Sequence, residues 1–356
     1  MIDATELLIN LVRTPSPSGD ESRAATVLAE WARAHDVNTE VDDTGVRLVV
    51  EGAEPGPTLL LASHLDTVPP GDGWSVPPYD GVVTGDRLMA RGAVDAKASV
   101  SAMAAAAAEI QVSGGPASGR LVVLASYSEE TRDTSMPSAL ELFDDPPTAA
   151  IVGEPTSLQP CIAQRGQLLL ELHWSGDQVH AGWAAGRRPQ PVNAITRAAV
   201  DLARLGDLVF DRTHPLLGEV AVTPTQLEAG VARNVTPPSC WAMLDIRTTP
   251  AYEHAEVVAQ LSEHLDARIE IYSDRLVPAQ TPADSRLLPA VVSAIPDARP
   301  FASPTCSDWV FLRHLDAVKL GPGDSRRSHT ADEWIELDEV RAATRIYAAT
   351  AKEYLR

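Results

Sequence analysis

Thr58-Leu-Leu-Leu-Ala-Ser-His-Leu-Asp-Thr-Val-Pro69 is an apolar run that passes without a linker into two titratable side chains. A short apolar run bounded by turn residues reads as a strand buried on both faces, inside a sheet that helices cover. His64 and Asp66 alternate with Leu65, so both point to one side at the strand's carboxyl end, where open α/β sheets hold their ligands. Similar apolar runs at 46–50, 120–125 and 149–152 predict further buried strands. Helical spacing of Leu7, Leu8, Leu11 and Val12, broken at 14–19 and resumed at Ala24, Val27, Leu28 and Trp31, predicts helix, loop, helix. A helix over 99–110, with a tightly packed Ala104–Ala108 run, completes the expectation of an α/β domain.

The texture changes near Gln167. Strand candidates at 168–174, 220–227, 241–247 and 267–272 and helix candidates at 192–205 and 252–265 follow the order β-α-β-β-α-β of a ferredoxin-like unit. After residue 276 the first style returns, with a helix near 285–295, a strand at 317–320 and a closing helix from Leu337. The expected organisation is a discontinuous α/β domain, residues 1–166 and 276–356, interrupted by an α+β domain at 167–275.

The 356 residues carry 29 Lys+Arg against 49 Asp+Glu, a formal charge of −20. Phosphate binding needs clustered cations, and the only short basic clusters are Arg187-Arg188 and Arg326-Arg327, so nucleic acid and anionic membrane are excluded as expected partners. No run approaches the roughly 18 apolar residues that a membrane span requires, and the amino terminus lacks a basic stretch before an apolar one. The cysteines Cys161, Cys240 and Cys306 have no paired spacing, which gives neither a disulfide framework nor a sulfur metal site. A reducing cytoplasmic location is the expectation.

Five more polar positions follow predicted strands or turns. Asp95 lies after a glycine turn at the start of a helix, and alone would read as its cap. Glu129-Glu130 follow the strand at 121–125; adjacent carboxylates repel unless a cation holds one of them. Glu154 ends the run 149–152, and His329 follows Gly321-Pro-Gly-Asp324. Five acidic or histidine positions at successive loop ends of one sheet mark a candidate functional site.

The combination of Ser63-His-Leu-Asp-Thr-Val-Pro69, Arg91-Gly-Ala-Val-Asp-Ala-Lys97, Glu129-Glu130, Gly153-Glu-Pro-Thr156, Asn234-Val-Thr-Pro237 with Asp245-Ile-Arg247, Ser307-Asp308 and Gly321-Pro-Gly-Asp-Ser-Arg-Arg-Ser-His-Thr330 resembles a metallo-aminoacylase and aminopeptidase family. The family includes acetylornithine deacetylase, succinyl-diaminopimelate desuccinylase, carrier-protein-bound lysine hydrolase and carboxypeptidase G2. The resemblance implies a zinc-exopeptidase-like catalytic domain with a mixed sheet, plus an inserted ferredoxin-like lid and dimerisation domain.

It also implies two divalent metal ions, zinc or cobalt, with Asp95 bridging them, His64 and Glu154 on one, and Glu130 and His329 on the other. Two such ions bring +4 against −3 from three carboxylates, a balance that favours hydroxide at neutral pH. Asp66 would orient His64, and Glu129 would be the general base. His180 resembles the histidine that reaches a partner subunit's site in a homodimer, and Arg247 the arginine that grips a substrate α-carboxylate, with Asn234 beside it. Thr305, Ser307 and Asp308 resemble a substrate-pocket loop, although Asp308 also fits a helix cap. Arg326 and Arg327 read as a solvated loop.

The activity so implied is removal of an N-acyl group from a small amino-acid derivative. N-acetyl-L-ornithine is favoured, as Ala163-Gln-Arg-Gly166 and Asn234-Val-Thr-Pro237 look most like the acetylornithine deacetylases. N-acetylcitrulline, N-succinyl-diaminopimelate and carrier-linked lysine or ornithine are the alternatives. A non-catalytic protein on a degenerate scaffold is the rival from another class, opposed by the joint presence of Glu129 and all five ligand positions. Departures from the pattern are the long Arg/Pro-rich loop after His180, Ala98 where a glycine is usual, and Thr131-Arg-Asp-Thr-Ser135 in place of a glycine-rich turn.

Overall fold

Strands buried on both faces organise the larger unit of the protein. Of Glu54–His64, the residues from Thr58 onward are buried, as are Leu121–Ser126 of Ser118–Ser126 and all of Ala149–Val152. Six strands of its nine-stranded sheet run, in spatial order, Asn38–Asp42, Gly45–Glu51, Ser118–Ser126, Glu54–His64, Ala149–Val152, Asp316–Lys319. The last four are mutually parallel and the first two antiparallel, so the sheet is mixed. The computed structural model describes residues 2–131, 134–184, 186–187 and 189–356. It forms two compact units, one comprising the chain up to Ile162, Gln280–Phe301 and Ser307–Arg356, the other Ala163–Ala279 with Ala302–Cys306.

The helices of the first unit follow from side-chain size. Lys97–Val112 buries most of its circumference, and Ala102 and Ala104–Ala108 have no exposed surface, as a helix that is apolar all round requires. Leu337–Tyr354, Thr5–Val12, Ser22–Ala34 and Leu287–Ala294 join it in one core with the sheet. Two features had no apolar signal. Asn38–Asp42 is a polar edge strand, and the small sheet Trp334–Glu336, Arg87–Met89, Val82–Thr84 uses three-residue strands, too short to show a period. Asp95 does not cap the helix that follows it; Ala96 holds that position without a side-chain hydrogen bond.

In the second unit, Gly166–Ser175, Ala194–Arg204, Ala221–Ala229, Ser239–Thr248, His254–His264 and Arg268–Leu276 reproduce the β-α-β-β-α-β order. The sheet order is Ala221–Ala229, Ser239–Thr248, Gly166–Ser175, Arg268–Leu276, every pair antiparallel, which is the ferredoxin-like arrangement. Leu168, Leu170, Leu172 and Trp174 alternate inward against Ala242, Leu244 and Ile246. Beneath them Asp201, 1% exposed, accepts hydrogen bonds from Trp174 Nε1 at 2.6 Å and the Asp266 amide at 3.0 Å. Asp201→Ala strands both donors, each costing about 1–3 kcal/mol. Equilibrium denaturation of the variant is expected to show a loss of at least about 2 kcal/mol, and a change below roughly 0.5 kcal/mol would show that water replaces the carboxylate.

Candidate metal centre

Strand register sets out the site. His64 is level with Ser126, Ala62 with Val152, and Val152 with Lys319, so four parallel strands end nearly flush. His64 is itself the last residue of its strand, Glu129-Glu130 follow Ser126, Glu154 follows Val152, and the segment leading to His329 follows Lys319. Packing fixes the approach to Glu154: a Cβ on Gly153 would lie 2.6 Å from Met103 Cε and 2.9 Å from Ser99 Cβ. Gly92, at φ +80°, makes the turn before Asp95, and a Cβ there would meet Thr67 Cγ2 at 2.6 Å. Ser128 and His329 adopt φ of 58° and 62° without being glycine, a conformation that costs energy and that surrounding contacts must hold.

The side chains converge on Asp95. Its Oδ1 lies 3.3 Å from His64 Nε2 and its Oδ2 3.3 Å from His329 Nε2, which in turn is 2.9 Å from Glu130 Oε1. Two donors about 2.0–2.1 Å from one tetrahedral ion are separated by roughly 3.3 Å. His64, Asp95 and Glu130 each offer a ligand atom within 4.8 Å of the others. Asp66 is fully buried and lies 3.3 Å from His64 Nδ1. It also accepts the backbone N–H groups of Glu129 at 3.0 Å and Glu130 at 3.1 Å, and the Ser18 hydroxyl at 2.7 Å. One carboxylate therefore orients an imidazole and a neighbouring loop together.

The electrostatics show a pocket short of positive charge. Burial and the neighbouring Asp95 push the Glu154 carboxyl up to about 8. Burial, with Asp308, Glu154 and Glu130 nearby, pushes Glu129 well above the usual carboxylate range. Burial opposes charge on His64 and ionisation of Asp66, yet their mutual hydrogen bond holds His64 well above its usual value and Asp66 at about 2. Hydrogen bonds to Asp95 and Glu130 raise His329 to about 10. Protons gather where carboxylates crowd together, and divalent cations satisfy the same demand while using the imidazole lone pairs. The donor set, two histidines and carboxylates with no thiolate, fits zinc, cobalt or manganese.

The other sequence-predicted residues lie elsewhere or have different partners. In the second unit His180 is exposed, with Nε2 3.5 Å from Asn234 Nδ2. Asn234 is a neighbour of His180, and the Val235 backbone pairs with that of His180. The Arg247 guanidinium holds Asp245, Nε to Oδ1 at 2.7 Å and a second arm to Oδ2 at 3.0 Å. Thr305 bonds Ser303, oxygen to oxygen, at 2.9 Å.

The helix cap at 307–308 is Ser307, which accepts from the Trp309 amide, while Asp308 accepts the Thr134 hydroxyl at 2.9 Å. Arg327 is not solvated as expected: its guanidinium carbon stacks 3.4 Å from the Trp334 ring centroid, whereas Arg326 is exposed and paired with Asp324. Arg132 and Asp133 of the turn after Glu130, and Arg188 of the basic pair, lie outside the described residues. Among the described residues Cys161, Cys240 and Cys306 form no disulfide, and no helix is long and apolar enough to cross a membrane.

Two residues that the sequence reading passed over are Arg91 and Glu333, each almost fully buried, 2.5 Å apart. Arg91 opens a quoted motif, but nothing in residue spacing connects it with a glutamate 242 positions later.

Comparison with known proteins identifies the family of the chain. The sequence profile of peptidase family M20/M25/M40 matches residues 60–353. A succinyl-diaminopimelate desuccinylase from a Ruegeria species is 29% identical over 99% of this chain and 95% of its own length. An acetylornithine deacetylase from Klebsiella pneumoniae is 28% identical over 93% and 92%. In fold, the crystal structure of aminopeptidase PepT from Bacillus cereus superposes with a TM-score of 0.81 at 18% identity, covering the whole of both chains. The chain therefore belongs to peptidase family M20/M25/M40 and is a hydrolase of amide bonds.

Proposed function

We propose that the chain is a two-metal deacylase that hydrolyses the amide of an N-acyl amino acid, with N-acetyl-L-ornithine as the favoured substrate. The observation that carries the two-metal reading is the division of the Asp95 carboxylate between two histidines, one oxygen 3.3 Å from each. His64 and Glu154 would hold one ion, Glu130 and His329 the other, with Asp95 shared. Bound there, the ions supply Lewis-acid polarisation of the amide carbonyl and acidify water.

The protein's own groups do the rest. Asp66 faces His64 Nδ1, which leaves Nε2 free to act as a donor atom. Glu129 would take the proton from the attacking water onto its carboxylate and pass it to the amide nitrogen as the C–N bond breaks. Arg247, by exchanging Asp245 for the substrate α-carboxylate, would give a two-point grip. The ferredoxin-like unit would act as lid and homodimer contact. Its edge strand Ala221–Ala229 is almost wholly exposed, and His180 is free to reach a partner's site. N-succinyl-diaminopimelate is the second reading, supported by the name of the Ruegeria relative; acetylornithine is supported by the Klebsiella relative and the sequence motifs.

Metal analysis of the purified chain is expected to give two equivalents of zinc or cobalt, falling to about one in His329→Ala; full occupancy of that variant would remove His329 from the ligand set. Glu129→Gln should keep both metals and lose roughly 100- to 10,000-fold in kcat, the usual share of a general base. Amine release from a panel of N-acetyl and N-succinyl amino acids should be highest for N-acetyl-L-ornithine and abolished by chelator. Preference for the succinyl substrate would select the second reading, and activity that survives complete metal removal would end the metal mechanism.

A further inference from the structure

The three segments that bring His64, Asp95 and His329 together meet again at one buried ion pair. Glu333 has no exposed surface, and its carboxylate accepts four hydrogen bonds: the Val94 amide at 2.7 Å and the Asp95 amide at 3.1 Å on Oε1, Arg91 Nη1 at 2.5 Å and the Gly92 amide at 3.1 Å on Oε2. A carboxylate has about four lone-pair sites, so every one is used. The Glu333 carbonyl accepts the Ala90 amide at 3.0 Å, which closes the same loop from its other side. Arg91, 2% exposed, sends its second arm to the Pro70 carbonyl at 3.1 Å, in the loop that begins at His64 and Asp66. Trp74 Nε1 shares that carbonyl at 2.8 Å, and the guanidinium lies 5.3 Å from the Trp74 ring centroid.

We propose that the Arg91–Glu333 pair positions the metal centre, fixing the Asp95 loop relative to the His64 loop and the His329 segment so that one carboxylate faces two imidazoles. The proposal rests on the two-metal reading above. Glu333 lies four residues beyond His329, so whatever holds the Glu333 carboxylate against residues 91–95 also limits where His329 can stand relative to Asp95. Desolvating an ion pair costs about as much as its attraction returns, so stability alone gives little reason for one here. A four-fold grip on the backbone of a ligand loop gives a reason of another kind, since an error of 1 Å at a ligand is felt in affinity and rate. Arg91 and Glu333 touch no ligand side chain and are positioning residues.

The test is cobalt titration of the metal-free full-length chain, followed by calorimetry and by the visible spectrum of the bound ion, with thermal unfolding of the metal-free form in parallel. Glu333→Gln keeps the shape but turns an amide NH2 toward donors. It is expected to lower affinity by about 10- to 100-fold and to change the cobalt spectrum at saturation. Arg91→Lys keeps the charge without the second arm, and should show a smaller loss in the same direction; it carries the test if Glu333→Gln does not fold. Asp201→Ala in the other unit serves as the control that loses stability while keeping affinity and spectrum. Wild-type affinity and spectrum in a folded Glu333→Gln or Arg91→Lys chain, with only a lowered melting temperature, would reduce the pair to a structural role and overturn the proposal. Failure of the wild type itself to bind two ions would instead refute the two-metal reading, and this inference with it.

Discussion

Asp95 turns one carboxylate oxygen to His64 and the other to His329, each at 3.3 Å, and that division constrains everything around it. Three segments separated by tens to hundreds of residues must arrive together, and the acidic groups they bring repel one another. The fold meets the first demand with parallel strands that end nearly flush, so that short turns deliver His64, Glu130 and Glu154 to a common edge. It meets the second by giving the buried carboxylates unequal environments. Asp66 and Glu333 are surrounded by N–H and O–H donors, whereas Glu129 and Glu154 are buried beside further carboxylates. The saturated carboxylates hold backbone, and the unsaturated ones are left with unspent affinity for a cation or a proton.

Rigidity behind the edge has the same origin. The alanine run of Lys97–Val112 lets this helix lie close to its neighbours, and Gly153, just before Glu154, packs against Met103 and Ser99 with no room for a Cβ. Close-packed interiors pass displacement on and do not absorb it. These turns are therefore braced from below by apolar contact and from the side by buried carboxylates.

Much of this was legible in the chain because burial leaves a pattern. The strands at Thr58–His64, Leu121–Ala125 and Ala149–Val152 are apolar for their whole inner length, and the second unit alternates apolar and polar residues with period two. His64, Asp95, Glu130 and His329 stood out because polar side chains directly follow such strands or glycine turns, and the fold gathers them. What escaped was whatever lacks period or proximity. Asn38–Asp42 is polar because it lies at an edge, and the three-residue strands are too short to repeat. The contact between Asn234 and His180, 54 positions apart, comes from backbone pairing of Val235 with His180, which no residue pattern shows. Arg327 looked like one of two exposed cations, until the fold brought Trp334 beneath it. Glu333 shows the limit most clearly, as its partners lie some 240 positions upstream and three of them are backbone amides, to which sequence is blind.

The discontinuity of the larger unit also bears on how the chain is assembled during synthesis. All four strands of the ferredoxin-like sheet lie between Gly166 and Leu276, so that sheet has its full complement as soon as those residues leave the ribosome. The larger sheet must wait for Asp316–Lys319, which pairs with Ala149–Val152 across more than 160 residues, and for Leu337–Tyr354, which closes its core. Domains of a nascent chain usually complete in order from the amino terminus, and here the inserted unit can finish before the unit that begins the chain. His329 follows the inserted unit in the chain, so the groups that face Asp95 come together only after that unit has been made.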